Sequence, residues 1–335
     1  MTTPPAAAPH RETLPMVPSG PCWVCGGTSM ARVFLSQIDL EGSYHDQFGP
    51  YAHADHPDYW VVRCRSCGFG QPETMPAPEN FFDLLYAQPW WLQETLEAEF
   101  TNPYKDAVFG AVLDGLERRR APGVPKTLLD VGTHVGRFLH LARQAGWEAE
   151  GAELNPLPAE FAARKTGLKI HQSRAQDLVN LGLRFGAVTM TDVLEHIPRP
   201  APLVGQLREL LHPGGVVAIK VPHGTMQRVK ERVRVARHPG REARRAHRIG
   251  VGTNYVHVNH FSVASLRECL ERAGFRQVRV VPAPPEYIHP APTRTRGQAA
   301  AALFRLGVYH ASRLIPGGLH SPLCLHLQAF GVNPG

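Results

Sequence analysis

The sequence predicts an α/β chain: a doubly wound sheet preceded by a small cysteine-rich unit. Three observations carry that prediction. Two Cys-x-x-Cys pairs stand near the start, Cys22/Cys25 and Cys64/Cys67. A glycine-bounded turn joins a short apolar run to an amphipathic helix across Lys126–Leu139. Further apolar runs follow, each ending in an acidic residue or a Pro-Gly-Gly turn, as far as Pro222.

The 335 residues allow one large domain with an attachment, and 43% hydrophobic against 19% charged residues excludes wholesale disorder. No uninterrupted apolar run approaches the ~18 residues a bilayer span needs, so no membrane partner is expected. Residues 1–20, rich in Pro, Ala and Thr, read as a flexible tail without a basic or apolar leader, and a cytoplasmic chain is expected.

The small unit is placed at 21–72. In each pair, two intervening residues let both thiolates turn onto one ion, and four sulfurs complete a closed tetrahedral zinc shell. Structural Zn²⁺ on Cys22, Cys25, Cys64 and Cys67 is therefore expected, with no open position for zinc catalysis. Arg32–Leu35 and Tyr59–Arg63 alternate like strands, so a zinc ribbon with an elaborated excursion fits. His45, His53 and His56 of that excursion are read as surface or substrate-side residues. Cys269 and Cys324 stand alone in apolar surroundings and read as buried hydrophobes.

Gln71–Pro78 reads as proline punctuation, and 79–120 as a helical bridge with apolar Val108, Val112 and Leu116 in helical spacing. Tyr86, Trp90 and Trp91 are read as packing residues. The large domain is placed at 121–335. Its first strand ends at Asp130 before the Gly132–Gly136 turn, and its second ends at Glu153, where a carboxylate can accept from ribose hydroxyls. A third segment places Asp177 in a loop, a fourth runs into Asp192-Val193-Leu194-Glu195-His196, and Pro213-Gly214-Gly215 opens a fifth strand. A helix-like run at Ala299–Leu314 and an alternating strand at Leu323–Phe330 close the chain.

In this order the segments resemble the class I S-adenosylmethionine-dependent methyltransferases, over roughly Thr127–Val280, with Asn259-His260-Phe261-Ser262 as a further match. A nicotinamide-dependent dehydrogenase would explain the first two elements but not the last two. The resemblance implies a Rossmann-like methyltransferase sheet and S-adenosyl-L-methionine as cofactor. It implies that Asp130, Gly132, Thr133 and Gly136 hold the methionine end and that Glu153 takes the ribose, with Leu154 beside it. Asp177 and Leu178 would face adenine, and Asp192 the sulfonium side. His134 stands where the family has a small residue or Gly. His196 and His257 are the candidate catalytic bases, because related enzymes carry histidine at both places; His223 and His260 map near the same rim.

An insertion is placed at 222–260. Within it, 228–248 carries nine Arg or Lys against two Glu, a local +7 that equals the formal net charge of the chain. It reads as part of an acceptor lid or as a solvated helix face. The expected reaction is O-methylation of a small-molecule or glycan acceptor of anionic, sugar or nucleotide-linked type. Sugar C-methylation is an alternative, although only the Val256-His257 position of that group's late Tyr-His-Glu-His cluster is matched. RNA methylation and non-catalytic binding of cofactor or partner are the others.

Overall fold

The structure is a computed structural model that describes residues 15–39, 58–77, 93–237, 249–250, 257–286, 296–321 and 323–335. Residues 1–14, the three excursion histidines, Tyr86, Trp90, Trp91 and the 238–248 part of the basic stretch lie outside the described residues.

Five strands come first: β1 (Met16–Pro18), β2 (Met30–Asp39), β3 (Asp58–Cys64), β4 (Gly70–Pro72) and β5 (Thr74–Pro76). Helices α1 (Gln93–Thr101) and α2 (Asp106–Glu117) lead to the alternating part of the chain. That part runs β6 (Thr127–Val131), α3 (Arg137–Gln144), β7 (Glu148–Ala152), α4 (Pro156–Thr166), β8 (Ile170–His171), α5 (Ala175–Asn180) and β9 (Phe185–Thr191). It continues through α6 (Pro200–Glu209), β10 (Leu211–Pro222), α7 (Gly224–Arg237) and β11 (Ile249–Gly250). The last elements are α8 (Val263–Arg272), β12 (Arg276–Pro282), α9 (Arg296–Leu314) and β13 (His326–Val332).

Seven strands form one sheet in the order β12-β13-β10-β9-β6-β7-β8, a mixed α/β Rossmann-like arrangement. The β10-β9, β9-β6, β6-β7 and β7-β8 pairs are parallel, and β13 runs antiparallel to both neighbours, as its alternating pattern predicts. The chain winds one way from β6 and the other way from β9, so the loops leaving these adjacent strands diverge and open a crevice at their carboxyl ends.

Local chemistry sets the helices that flank it. In α2, Val108, Val112 and Leu116 recur one turn apart and are fully buried. Asn155 caps α4, its side chain accepting from the Leu157 N–H at 3.1 Å, and Gly167 ends that helix in the left-handed conformation.

The proline-rich segment after the second cysteine pair is not a linker. Its residues form β4 and β5, with Pro72 and Pro76 at strand ends, where proline is tolerated. Gln71 explains why. It is fully buried, accepting from the Trp23 N–H at 2.9 Å and donating to the Gly20 and Pro21 carbonyls. Nor is residue 15 onward a free tail, because β1 pairs with β5 in register Met16↔Pro76.

The small unit shares one apolar core with the large sheet: Cys22, Trp23, Phe34 and Phe69 belong to the cluster that contains Phe261, Leu266 and Val217. Phe69 and Phe261 are both fully buried with ring centroids 5.0 Å apart, each ring contributing roughly 2–3 kcal/mol by burial. Reciprocal backbone bonds between Gly70 and His260, 3.0 and 2.9 Å long, seal the contact. Among the described residues no helix is long and apolar enough to cross a membrane.

Candidate active site

A cavity of about 1020 Å³ opens where the β6 and β9 loops diverge. Asp130, buried near the end of β6, receives a 2.6 Å hydrogen bond from the Thr189 hydroxyl of the adjacent strand. Burial pushes its carboxyl up to about 7, against the stabilising bond from Thr189. The next residues turn sharply. Gly132 has φ +75°, and a Cβ there would meet the Val193 Cγ2 at 2.4 Å, so both conformation and space require glycine.

His134 adopts φ +49° in the same turn, the left-handed region that favours glycine. Its backbone N–H donates to Glu153 Oε2 at 2.9 Å, while Glu153 Oε1 accepts from the Asn155 N–H, also at 2.9 Å. The strand-two carboxylate thereby fixes the strand-one turn. Burial raises the Glu153 pKa despite these donors, and burial, helped by the Lys105 charge, lowers the His134 imidazole to about 3. His134 is thus neutral at physiological pH.

Of the residues predicted to contact a cofactor, Asp130, Gly132, Thr133, Glu153, Leu154 and Asp192 line this cavity. Gly136 does not. It caps α3 with φ +78°, and a Cβ there would crowd Ala162 and Thr166, so its role is helix packing. Asp177 and Leu178 are also absent from the wall: the Asp177 carboxylate accepts from the Arg174 N–H at 3.1 Å as part of a capping box, and Leu178 is buried in the core. Their loop still reaches the cavity through Ser173, Arg174, Ala175 and Gln176.

Asp192, just after β9, stands at φ +57° with its charge already answered. Lys105 Nζ donates to Oδ2 at 2.9 Å, and the buried Lys220 of β10 donates to Oδ1 and to Glu286 Oε1. Burial alone would raise the Asp192 carboxyl, but the two ammonium groups hold it well below the usual range. Sequence reasoning missed Lys105, Lys220 and Glu286. A signal existed for Lys220, a lone cation in the apolar run Val216–Val221.

Beyond Asp192, the one-turn helix Leu194–His196 presents Glu195 and His196. His257 meets them from the segment before α8, its ring centroid 4.7 Å from that of His196 at an interplanar angle of 68°. Both candidate bases therefore share one wall. His223 is elsewhere: it is buried against the Cys324 carbonyl at 2.9 Å and pushed down to about 4, chiefly by burial. His260 faces Phe34 of the small unit edge-on at 5.5 Å.

In that unit, Cys22 and Cys67 Sγ stand 3.5 Å apart, as do Cys25 and Cys64, and all four sulfurs lie within 4.8 Å of one another. Four sulfurs at ~2.3 Å from one ion would be separated by nearly that distance. Cys269 and Cys324 are buried in the apolar core and are not members of the quartet, as expected of small hydrophobes.

The crevice at the switch point of the Rossmann-like sheet, with the strand-two carboxylate bracing a glycine turn, is the candidate site of a methyltransferase-family chain. Residues 104–280 match the family described as Methyltransferase domain, and the chain belongs to that family. Among curated relatives, it is 31% identical over 112 residues to a ubiquinone biosynthesis O-methyltransferase of Haemophilus ducreyi, covering 30% of this chain and 48% of that one. It is 35% identical over 95 residues to the Cereibacter sphaeroides protein of the same name, covering 27% and 38%. The chain thus spans about half or less of the length of these relatives. Similar solved structures include a sugar N-methyltransferase from a Streptoalloteichus species, at 28% identity, 38% and 53% coverage and a TM-score of 0.34. Another is a methyltransferase from Archaeoglobus fulgidus, at 16% identity, 70% and 97% coverage and a TM-score of 0.42.

Proposed function

We propose that the protein methylates a hydroxyl of a small-molecule or glycan acceptor, with S-adenosylmethionine as donor and one structural zinc ion on Cys22, Cys25, Cys64 and Cys67. The observation that carries the reading is the wall formed by Glu195, His196 and His257, which joins proton-handling groups to the same cavity as the glycine turn and Glu153. The two curated relatives are both O-methyltransferases by name, which supports oxygen as the acceptor atom.

The residues present fit the cofactor. Buried hydroxyls of Ser173 and Thr191 reach the wall without a protein partner, as a ligand rich in polar groups requires. Bound S-adenosylmethionine supplies a methyl group already activated on a positively charged sulfur. In this reading Asp130 and the Gly132–Thr133 backbone hold the amino-acid end, Glu153 accepts from the ribose with Leu154 beside it, and the 173–176 loop borders the adenine. The acceptor O–H is held against His196 and His257, where its proton is removed.

The test is a transfer screen with methyl-labelled S-adenosylmethionine against fractionated metabolites, glycans and RNA. Label in a hydroxylated small molecule or glycan is expected, lost at least ~100-fold in His196→Ala with cofactor affinity kept. Label in RNA, or on carbon or nitrogen alone, would overturn the reading.

A further inference from the structure

We propose that Glu195, His196 and His257 form a binding site for one divalent first-row transition-metal ion, with its open positions facing the cavity. The three side chains each offer a ligand atom, and these lie within 4.8 Å of one another; Glu195 Oε1 and His196 Nε2 are 4.0 Å apart. A shared ion at ~2.0–2.2 Å from each donor needs separations of about 3–4 Å, which small side-chain rotations supply.

Glu195 is the decisive group. It is 1% exposed and belongs to the cavity lining, and among the described residues neither carboxylate oxygen has a hydrogen-bond partner. A carboxylate in that position is costly unless a cation or a proton answers it. Lys105 and Lys220 act on Glu195 through charge only, because their ammonium groups are hydrogen-bonded to Asp192 and Glu286.

The site is also held in shape before any ion arrives. The Glu195 carbonyl accepts from the Val258 and Asn259 N–H groups, each at 2.9 Å. Asn259 Nδ2 donates to the Leu194 and Ile197 carbonyls, each at 2.7 Å. Four bonds thus clamp the segment bearing His257 onto the turn bearing Glu195 and His196. Behind His257, the Gln227 amide lies 3.1 Å from its Nδ1 and 2.7 Å from the Nδ1 of His260. One amide end donates and the other accepts, and a half-turn of the amide exchanges them. As placed, the amide nitrogen faces His257 and the oxygen faces His260; the half-turn that brings the oxygen to His257 would fix Nδ1–H and leave Nε2 as the ligand nitrogen, as second-sphere partners of metal-bound histidines do.

Two imidazoles and one carboxylate suit manganese, iron, cobalt or zinc better than the all-oxygen shells of calcium and magnesium. Three protein ligands leave room for an acceptor oxygen, and an ion there would lower the pKa of its hydroxyl, whose proton passes to water while His196 and His257 act as ligands in place of bases. Only that last clause rests on the hydroxyl-methylation reading.

The experiment titrates the full-length chain, saturated with S-adenosylhomocysteine, with Mn²⁺ and follows free Mn²⁺ by electron paramagnetic resonance. One bound Mn²⁺ is expected, weakened by at least ~100-fold in Glu195→Gln and in His257→Ala. Titration of S-adenosylhomocysteine into each variant verifies folding, and an affinity within threefold of the parent is expected. Absence of Mn²⁺ binding in the parent, or undiminished binding in either folded variant, overturns the site. No acceptor is used, so the two ideas fail separately: Mn²⁺ binding without hydroxyl products defeats only the acceptor assignment, and hydroxyl products without Mn²⁺ binding defeat only the metal site.

Discussion

Lys105 donates to Asp192 at 2.9 Å across the cavity, joining the helical bridge to the turn after β9. Both side chains are less than a quarter exposed, and Lys220 answers the same carboxylate from the other side. Removing one of two cations leaves Asp192 only half compensated. Lys105→Ala should therefore cost about 2 kcal/mol, below the ~3–5 kcal/mol of a buried pair broken outright. The Asp192 pKa is held down in the fold, so this stabilisation is present above the unfolded carboxylate pKa and is lost as pH falls through the depressed folded value. Chemical unfolding at pH 7 and at progressively lower pH should show the parent and variant converging in acid. A constant difference at every pH would refute the assignment.

Asp130 behaves in the opposite sense. Its folded pKa of about 7 lies above the unfolded value, so its contribution to the ligand-free fold is fully present below about pH 4 and is lost as pH rises through about 7. A ligand bringing a positive charge to Asp130 would favour the ionised form. S-adenosylhomocysteine affinity should accordingly rise several-fold between pH 6 and 8, and Asp130→Asn should flatten that rise. Calorimetric titration across this range measures both, and an unchanged slope in the variant would refute the role.

Much of this site could be read from residue order, because strand ends carry the ligands in a doubly wound sheet. Asp130, Glu153 and Asp192 stand at the ends of β6, β7 and β9, and each lines the cavity. Gly136 and Asp177 follow the same pattern yet serve α3 and α5, because a glycine or an acid near a helix start is equally a capping residue. Lys105 and Glu286 were illegible for another reason: they come from opposite ends of the family segment, and only the tertiary fold brings them beside β9 and β10. His196 and His257 are singled out in the sequence through resemblance rather than spacing, and their ring contact emerges only in the fold. Gln71 shows the limit of local punctuation, since one buried amide outweighed three nearby prolines.

The cysteine quartet should hold about one zinc ion per chain by metal analysis. Its two knuckles cross-link the ends of the small unit, and Trp23, packed between Gln71 and the Ser19 carbonyl, reports on it. Cys64 is fully buried, so Cys64→Ser should release the metal, red-shift Trp fluorescence and lower the melting temperature by at least ~10 °C. The shared core with Phe261 and Leu266 should carry part of that loss into the large domain. A metal-free parent that melts at the same temperature would disprove structural zinc.

Gln227 supplies a test of the acceptor wall that leaves the cofactor pocket alone. Its amide separates His257 from His260, and the two imidazoles cannot both receive a proton from it, nor both give one. Gln227→Leu removes this control and should lower kcat roughly 10-fold or more, with KM for S-adenosylmethionine unchanged. Gln227→Glu keeps the shape and accepts from both Nδ1–H groups, which leaves the His257 Nε2 lone pair available. It should retain more activity than the leucine variant. A carboxylate beside an imidazole favours the protonated ring, so the acid limb of its pH–rate profile should move to higher pH. Equal losses in the two variants, with no movement of that limb, would show that Gln227 only fills space.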